Sequence, residues 1–184
     1  DCLPGAFIQD MAAGSSDELY VIQANALARR GRYESAGWTW DKFRDTGLLS
    51  AHNMAVQGSS VVAGAALGQQ CPVSYSLDGG DNWVLITEPA YSNGNRHVAF
   101  DEEFKDNHLI YLADDAGGLY RWTVGNSNRW DDMVPPDNSY YGMAAAARGM
   151  FYAAFSQANA TGVSRTTYSR GGIPKDGVFW DTLA

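Results

Sequence analysis

Apolar residues in this chain gather in short runs, and clusters of Gly, Asn, Asp and Ser separate one run from the next. Leu19 to Ile22, Val61 to Ala63, Leu109 to Leu112 and Met150 to Ala154 are typical. An amphipathic helix needs apolar positions three and four apart, sustained over about ten residues. No stretch keeps that spacing. Short runs bounded by turn formers are the pattern of β-strands joined by tight reversals. The chain is therefore expected to be all-β.

The runs also recur as a set. Tryptophans stand at positions 40, 83, 130 and 180, and each is followed three positions on by Phe43, Ile86, Met133 or Leu183. Upstream, the units open at Met11-Ala12, Met54-Ala55, Val98-Ala99 and Met143-Ala144. A further run precedes each tryptophan turn, around Ala26 to Tyr33, Val73 to Leu77, Leu119 to Thr123 and Val163 to Tyr168. Four strands in a period of roughly 40–50 residues are the signature of a β-propeller blade. A lone blade cannot bury both of its faces, but stacked neighbours can. The expectation is one repeat domain over 1–184, with four blades of four antiparallel strands at approximately 6–46, 50–89, 95–136 and 140–184. The innermost strands carry short side chains, as in Met11-Ala12-Ala13-Gly14, Met54-Ala55-Val56 and Met143 to Ala147. Such residues suit crowding near a central axis and leave little lining for a polar substrate.

The turn before the second tryptophan is the most specific signal. It reads Ser76-Leu77-Asp78-Gly79-Gly80-Asp81-Asn82-Trp83, which fits Ser-x-Asp-x-Gly-x-Thr-Trp with Asn82 in place of Thr. The first unit keeps Gly37, Thr39 and Trp40 and has Ser35 where the Asp belongs. The third keeps Thr123 and Gly125 and inserts two residues before Trp130; the fourth retains little beyond its ends, Ser164 and Trp180. On these residues the chain resembles the Asp-box (BNR-repeat) β-propellers. That group includes sialidases, xyloglucanases, sortilin-like receptors and non-catalytic bacterial surface proteins. The resemblance implies a structural box lying away from any catalytic centre. Asp78 is expected to accept backbone N–H groups of its own turn. Gly80 should supply a conformation other residues reach only with strain. Trp83 should fold back and be substantially buried against the turn, with Trp40, Trp130 and Trp180 in equivalent places.

Composition and charge narrow the function. The net charge is −8 and the pI about 4.7, with Lys and Arg scattered, so there is no electrostatic footprint for nucleic acid. No apolar run approaches the ~20 residues of a membrane-spanning helix, so no membrane insertion is expected. The two cysteines, Cys2 and Cys71, either remain as thiols or form a disulfide, and a disulfide is expected. Asn159-Ala160-Thr161 is a glycosylation sequon. The histidines His52, His97 and His108 fall at no spacing that gathers them round zinc. Asp78, Asp81 and Asn82 lack the alternating oxygen ligands of an EF-hand. No metal or cofactor is expected.

A glycoside hydrolase needs two carboxylates across a cleft. The acids Asp101, Glu102 and Glu103, and then Asp114 and Asp115, are read instead as a solvated face. A sialidase site is not expected either, because the Arg-Ile-Pro signature is absent and the nearest string is Phe43-Arg44-Asp45. Tyr140-Tyr141, Trp38 and Trp122 are spare aromatics, read as packing or subunit contacts ahead of sugar stacking.

These observations point to a non-enzymatic extracellular propeller scaffold, a component of a bacterial surface layer, filament or adhesive assembly. The alternative is a glycan-active or glycan-binding protein whose site lies partly outside this chain; were it an enzyme, it would be a glycoside hydrolase. The sequence opens at Asp1, just before an innermost strand, and stops one residue after Leu183 on an outermost one. That layout leads us to expect a processed chain or a segment, with open ends covered by another copy or by further blades of the same precursor.

Overall fold

The computed structural model describes residues 7–70, 72–89, 93–133, 135, 139–146, 149–157, 160–167 and 180–183. Cys2, Cys71 and Asn159 lie outside them, and with them the expected disulfide and glycosylation site. The chain forms four antiparallel sheets, each built from strands consecutive in sequence. Blade 1 comprises β1 (Ile8–Ala13), β2 (Glu18–Gln23), β3 (Leu27–Glu34), β4 (Gly37–Trp40) and a short β5 (Arg44–Asp45). Blade 2 holds β6 (Ala51–Gln57), β7 (Ser60–Ala65), β8 (Val73–Ser76) and β9 (Val84–Ile86). Blade 3 holds β10 (Arg96–Phe100), the single-turn helix α1 (Phe104–Asn107), β11 (Leu109–Asp114), β12 (Leu119–Thr123) and β13 (Asp131–Asp132). Blade 4 holds β14 (Tyr140–Ala146), β15 (Met150–Gln157), β16 (Ala160–Thr166) and β17 (Asp181–Leu183). This is a four-blade β-propeller. One departure from four strands per blade occurs: β3 is eight residues long, so β4 pairs with one end and β5 with the other, Ala28 opposite Arg44.

The blades stack through three apolar cores. Tyr20, Ile22 and Ala28 of blade 1 meet Met54, Val61 and Ala63 of blade 2. Val62, Val73 and Ile86 of blade 2 meet Val98, Ile110 and Leu112 of blade 3. Tyr111, Leu119 and Met133 of blade 3 meet Tyr140, Phe151 and Phe155 of blade 4. β7 and β11 are buried along nearly their whole length because their blades have a neighbour on each side, which explains their unbroken apolar runs. Each large side chain so buried contributes about 1.5–3 kcal/mol. The innermost strands lie against one another in succession, β1 on β6, β6 on β10 and β10 on β14. Among the described residues no comparable contact brings β14 back to β1, and no fourth core joins blade 4 to blade 1.

The strand registers reveal a repeated cross-strand row. In blade 1, Ala12 stands opposite Tyr20 and Tyr20 opposite Arg30, whose guanidinium pairs with Asp41 at 3.1 Å. In blade 3 the row runs Ala99, Tyr111, Arg121 and Asp131, with the ion pair at 2.6 Å. In blade 4 it runs Ala144, Tyr152, Arg165 and Asp181, closed at 2.9 Å. Blade 2 has apolar replacements, Ala55, Val62, Tyr75 and Val84. Alternate residues of a strand face opposite sides. Residues one place before the row therefore face the preceding blade, while the row itself faces the next.

Candidate functional site

The turn between β8 and β9 is held by side chains. Asp78 Oδ1 accepts from Asn82 N at 2.9 Å and from Ser76 Oγ at 2.8 Å, while Oδ2 accepts from Asn82 Nδ2 at 2.7 Å. Ser76 Oγ accepts in turn from Gly80 N at 2.9 Å. The backbone N–H of Asn82 leads the donors that lower the Asp78 carboxyl from its ordinary 3.8 to about 2. Gly80 sits at a φ of +87°, in the left-handed region, so a side chain there would be strained. Trp83 donates its indole N–H to Gly80 O at 3.0 Å and is half-buried, less enclosed than the sequence led us to expect. The turn faces blade 1, where Asp81 lies 3.5 Å from Arg44 and 3.9 Å from Arg30.

The other turns use different chemistry. Ser35 and Ala36 form the tip of a tight hairpin in which Glu34 pairs with Gly37, and the Ser35 side chain is exposed. At the third turn the Ser127 hydroxyl accepts from Thr123 N at 3.0 Å, and Gly125 takes a φ of +79°. All four tryptophans hold the same register, one residue before the cross-strand row. Their indole N–H groups go to different partners. Trp130, 4% exposed, donates to Glu88 O of blade 2 at 3.1 Å, and Trp180 donates to Met133 O of blade 3 at 3.0 Å. Trp40 has no such acceptor among the described residues, and its ring covers Gly31, where a Cβ would lie 2.8 Å from the ring.

The acids read from the sequence as a solvated face divide into two kinds. Glu102 and Glu103 are exposed, but Asp101 and Asp114 are buried structural clamps, a correction. Asp101 accepts from Tyr111 OH at 2.7 Å, Asn107 Nδ2 at 2.6 Å and Glu103 N at 2.9 Å, and so ties α1 to β11. Asp114 meets Arg96 at 2.6 Å with both side chains fully buried, and also accepts from Gly94 N at 3.0 Å and Ala116 N at 2.7 Å. Loop backbone N–H groups with no strand partner needed acceptors, and these carboxylates supply them.

At the inner edge, side chains link one blade to the next. Asp10 accepts from Met54 N at 2.7 Å and Asn53 Nδ2 at 2.9 Å, and Asn53 Oδ1 accepts from Val98 N at 2.8 Å. His97 is next in this series. It packs edge-on against His52 at 4.8 Å, and burial, followed by the nearby His52, lowers its pKa below the ordinary 6.5. Among the described residues no group of three or more His, Cys, Asp or Glu is placed to hold a metal. No helix among the described residues is long and apolar enough to cross a membrane.

Spare aromatics concentrate on the free face of blade 1. Tyr33 and Trp38, 58% and 45% exposed, stand 5.6 Å apart, and Trp38 stacks on Trp40 at 6.1 Å. Arg29 lies over the rings of Trp40 and Phe43, at 4.6 and 4.5 Å. Trp122, by contrast, packs on Trp130 at 5.2 Å; Tyr140 is buried and Tyr141 is 54% exposed. An open groove between blades 2 and 3 is lined by Gln57, Ser59, Leu77, Glu102, Phe104 and His108. Sequence reading missed the Arg–Asp pairs, although Trp-Asp stands at three of the four tryptophan turns.

No protein-family profile matches the chain, and no curated protein does. Solved structures resemble it in fold. A chain of a nidogen–laminin complex matches with a TM-score of 0.69 at 12% identity, over 98% of this chain and 65% of that one. The GH74 enzyme of Niastella koreensis matches with a TM-score of 0.67 at 18% identity, over 95% of this chain and 30% of that one. YCF48 from Cyanidioschyzon merolae gives 0.61 at 12% identity, over 95% of this chain and 58% of that one. The chain thus spans less than two thirds of each of these, and the likeness at such identities is one of fold alone.

Proposed function

We propose that this chain is a non-enzymatic propeller scaffold of the Asp-box type, working outside the cell in a bacterial surface layer, filament or adhesive assembly. One observation carries the reading. Of the five acids weighed as candidates for chemistry, Asp101, Asp114 and Asp115 spend oxygens on backbone N–H groups, Tyr111, Arg96 and Asn95, while Glu102 and Glu103 are exposed. The Ser76–Asp78–Asn82 network supports the Asp-box assignment, since each member bonds within one turn. The extracellular placement rests on the sequence resemblance and on the sequon. Incubation with xyloglucan and with sialylated oligosaccharides, read by released reducing sugar or sialic acid, should give no turnover above buffer. Turnover abolished by no more than one or two carboxylate substitutions would overturn the reading.

A second reading, glycan binding, is favoured by the exposed Tyr33–Trp38 pair, whose π-faces suit sugar rings. Binding of a soluble glycan that Trp38→Ala abolishes, with the fold intact, would replace the scaffold proposal by this one.

A further inference from the structure

Among the described residues, blade 1 and blade 4 each leave one face without a neighbouring blade, and those faces carry the residues that the covered faces use. Met11 is 61% exposed, whereas its register equivalents Met54 and Val98 are 4% and 5% exposed against the preceding blade. At the other end, Leu183 is 41% exposed, whereas Ile86 and Met133 are 4% and 0% exposed against the next blade. The row Ala144–Tyr152–Arg165–Asp181 repeats the one that blades 1 and 3 turn toward their neighbours, yet Tyr152 is only half-buried while Tyr20 and Tyr111 are buried.

The polar groups tell the same story. Trp130 and Trp180 donate to carbonyls near the outer edge of the preceding blade, and the matching indole N–H of Trp40 has no acceptor among the described residues. Arg29 occupies the register position of Ser74, whose hydroxyl donates across to Thr46 O of blade 1 at 2.6 Å. Its Nε is buried without a partner, and among the described residues it meets no carboxylate.

Resting on the scaffold reading, we propose that a second copy of this chain covers these faces. The copies dock head to tail, blade 4 of one protomer on blade 1 of its partner. Both halves of the interface are present on this one chain in equal number, in the registers already used three times within it. Trp40 then donates to a carbonyl at the end of the partner's β17, as Trp130 and Trp180 do within the chain. A heterologous contact of this kind closes into a ring or runs on as a filament. Two copies close as a ring of eight blades, within the usual range of ~4–8.

The test is sedimentation velocity and light scattering on the 184-residue chain, from about 1 to 100 µM. The expected mass is twice the 20.0 kDa of one chain. Met11→Glu spoils only the blade 1 face and Ala154→Glu only the blade 4 face; both residues are exposed, so both variants fold, which near-UV circular dichroism checks. Each introduces an unpaired buried charge and should weaken association at least about a hundredfold. Because each variant keeps one good face, mixing the two restores a two-chain species through a single interface. Four outcomes would overturn the proposal: a monomer at every concentration, a dimer indifferent to both substitutions, failure of the mixture to associate, or a ladder of larger species. None of these bears on sugar turnover, so the scaffold reading stands or falls separately.

Discussion

Removing the Arg96 guanidinium while leaving Asp114 in place tests a fully buried ion pair. Both side chains are fully buried and their closest atoms are 2.6 Å apart. In Arg96→Met the Asp114 carboxylate keeps its bonds from Gly94 N and Ala116 N but loses its counter-charge. A buried charge stripped of its partner costs about 3–5 kcal/mol, whereas replacing both partners by apolar groups costs far less. The single variant should therefore lose about 3–5 kcal/mol, a large share of a small domain's stability. Arg96 also donates to Gly94 O and, at 3.4 Å, to Gln69 O of blade 2, so part of that loss is in loop positioning. Urea unfolding followed by tryptophan fluorescence measures it, and the double variant Arg96→Met, Asp114→Asn, whose neutral side-chain oxygen can still accept from Gly94 N and Ala116 N, closes the cycle. If the double variant is less stable than Arg96→Met alone, or if the single variant loses under about 1 kcal/mol, the pair does not act as the buried clamp described.

Three further outcomes follow from the same geometry. Trp130→Ala, which empties a buried site between blades 2 and 3, should cost about 3–5 kcal/mol by urea denaturation, and Trp130→Phe should recover most of it. The Asp78 carboxyl, held at about 2 in the folded chain against 3.8 unfolded, adds stability that is present above about pH 4 and lost as pH falls toward 2. Asp78→Asn should flatten the acid limb of a stability–pH curve over that window, and an unchanged slope would refute the turn's role. Folding lowers the His97 pKa, so the unfolded chain binds more protons just below pH 6.5 and stability should fall as pH drops through that value. His97→Gln should remove that part of the slope, with His52 and the carboxylates Asp10, Asp114 and Asp115 near the ring left in place.

Much of the fold was legible because a blade repeats both an apolar rhythm and a turn. Met11, Met54, Val98 and Met143 marked the innermost strands from sequence alone, and all four lie within β1, β6, β10 and β14. The tryptophans marked a common register because a large ring one residue before the row has only the preceding blade to pack on. The acids were harder to read. Asp101 and Asp114 look like loop residues in a string of charges, and only the fold shows that loop N–H groups beside them lack strand partners. The Arg–Asp pairs escaped for a related reason. They join residues ten to sixteen positions apart across an antiparallel pair, and the intervening loop differs in length from blade to blade. Arg30, Arg121 and Arg165 therefore keep no fixed sequence distance from their tryptophans.

Blade 2 shows why those pairs matter to the repeat. Among the described residues it alone carries such a Ser–Asp–Asn network, Ser76–Asp78–Asn82, and it alone lacks the arginine and aspartate of the row, with Tyr75 and Val84 in their places. The outer hairpin of a blade must be fixed to its third strand, since β9, β13 and β17 are only two or three residues long and offer few ladder bonds. A turn locked by its own side chains does this from the hairpin end, and an ion pair across the strands does it from the middle. Blades 1, 3 and 4 use the second device and blade 2 the first. The degenerate turns are thus a substitution of one fastening for another, and stability need not have been lost with the turn motif. Transplanting Arg and Asp to positions 75 and 84 in an Asp78→Asn background should restore part of what Asp78→Asn loses. An exposed ion pair of this kind returns about 0.2–1 kcal/mol. No recovery in urea midpoint, with the fold intact, would show that the two fastenings are not interchangeable.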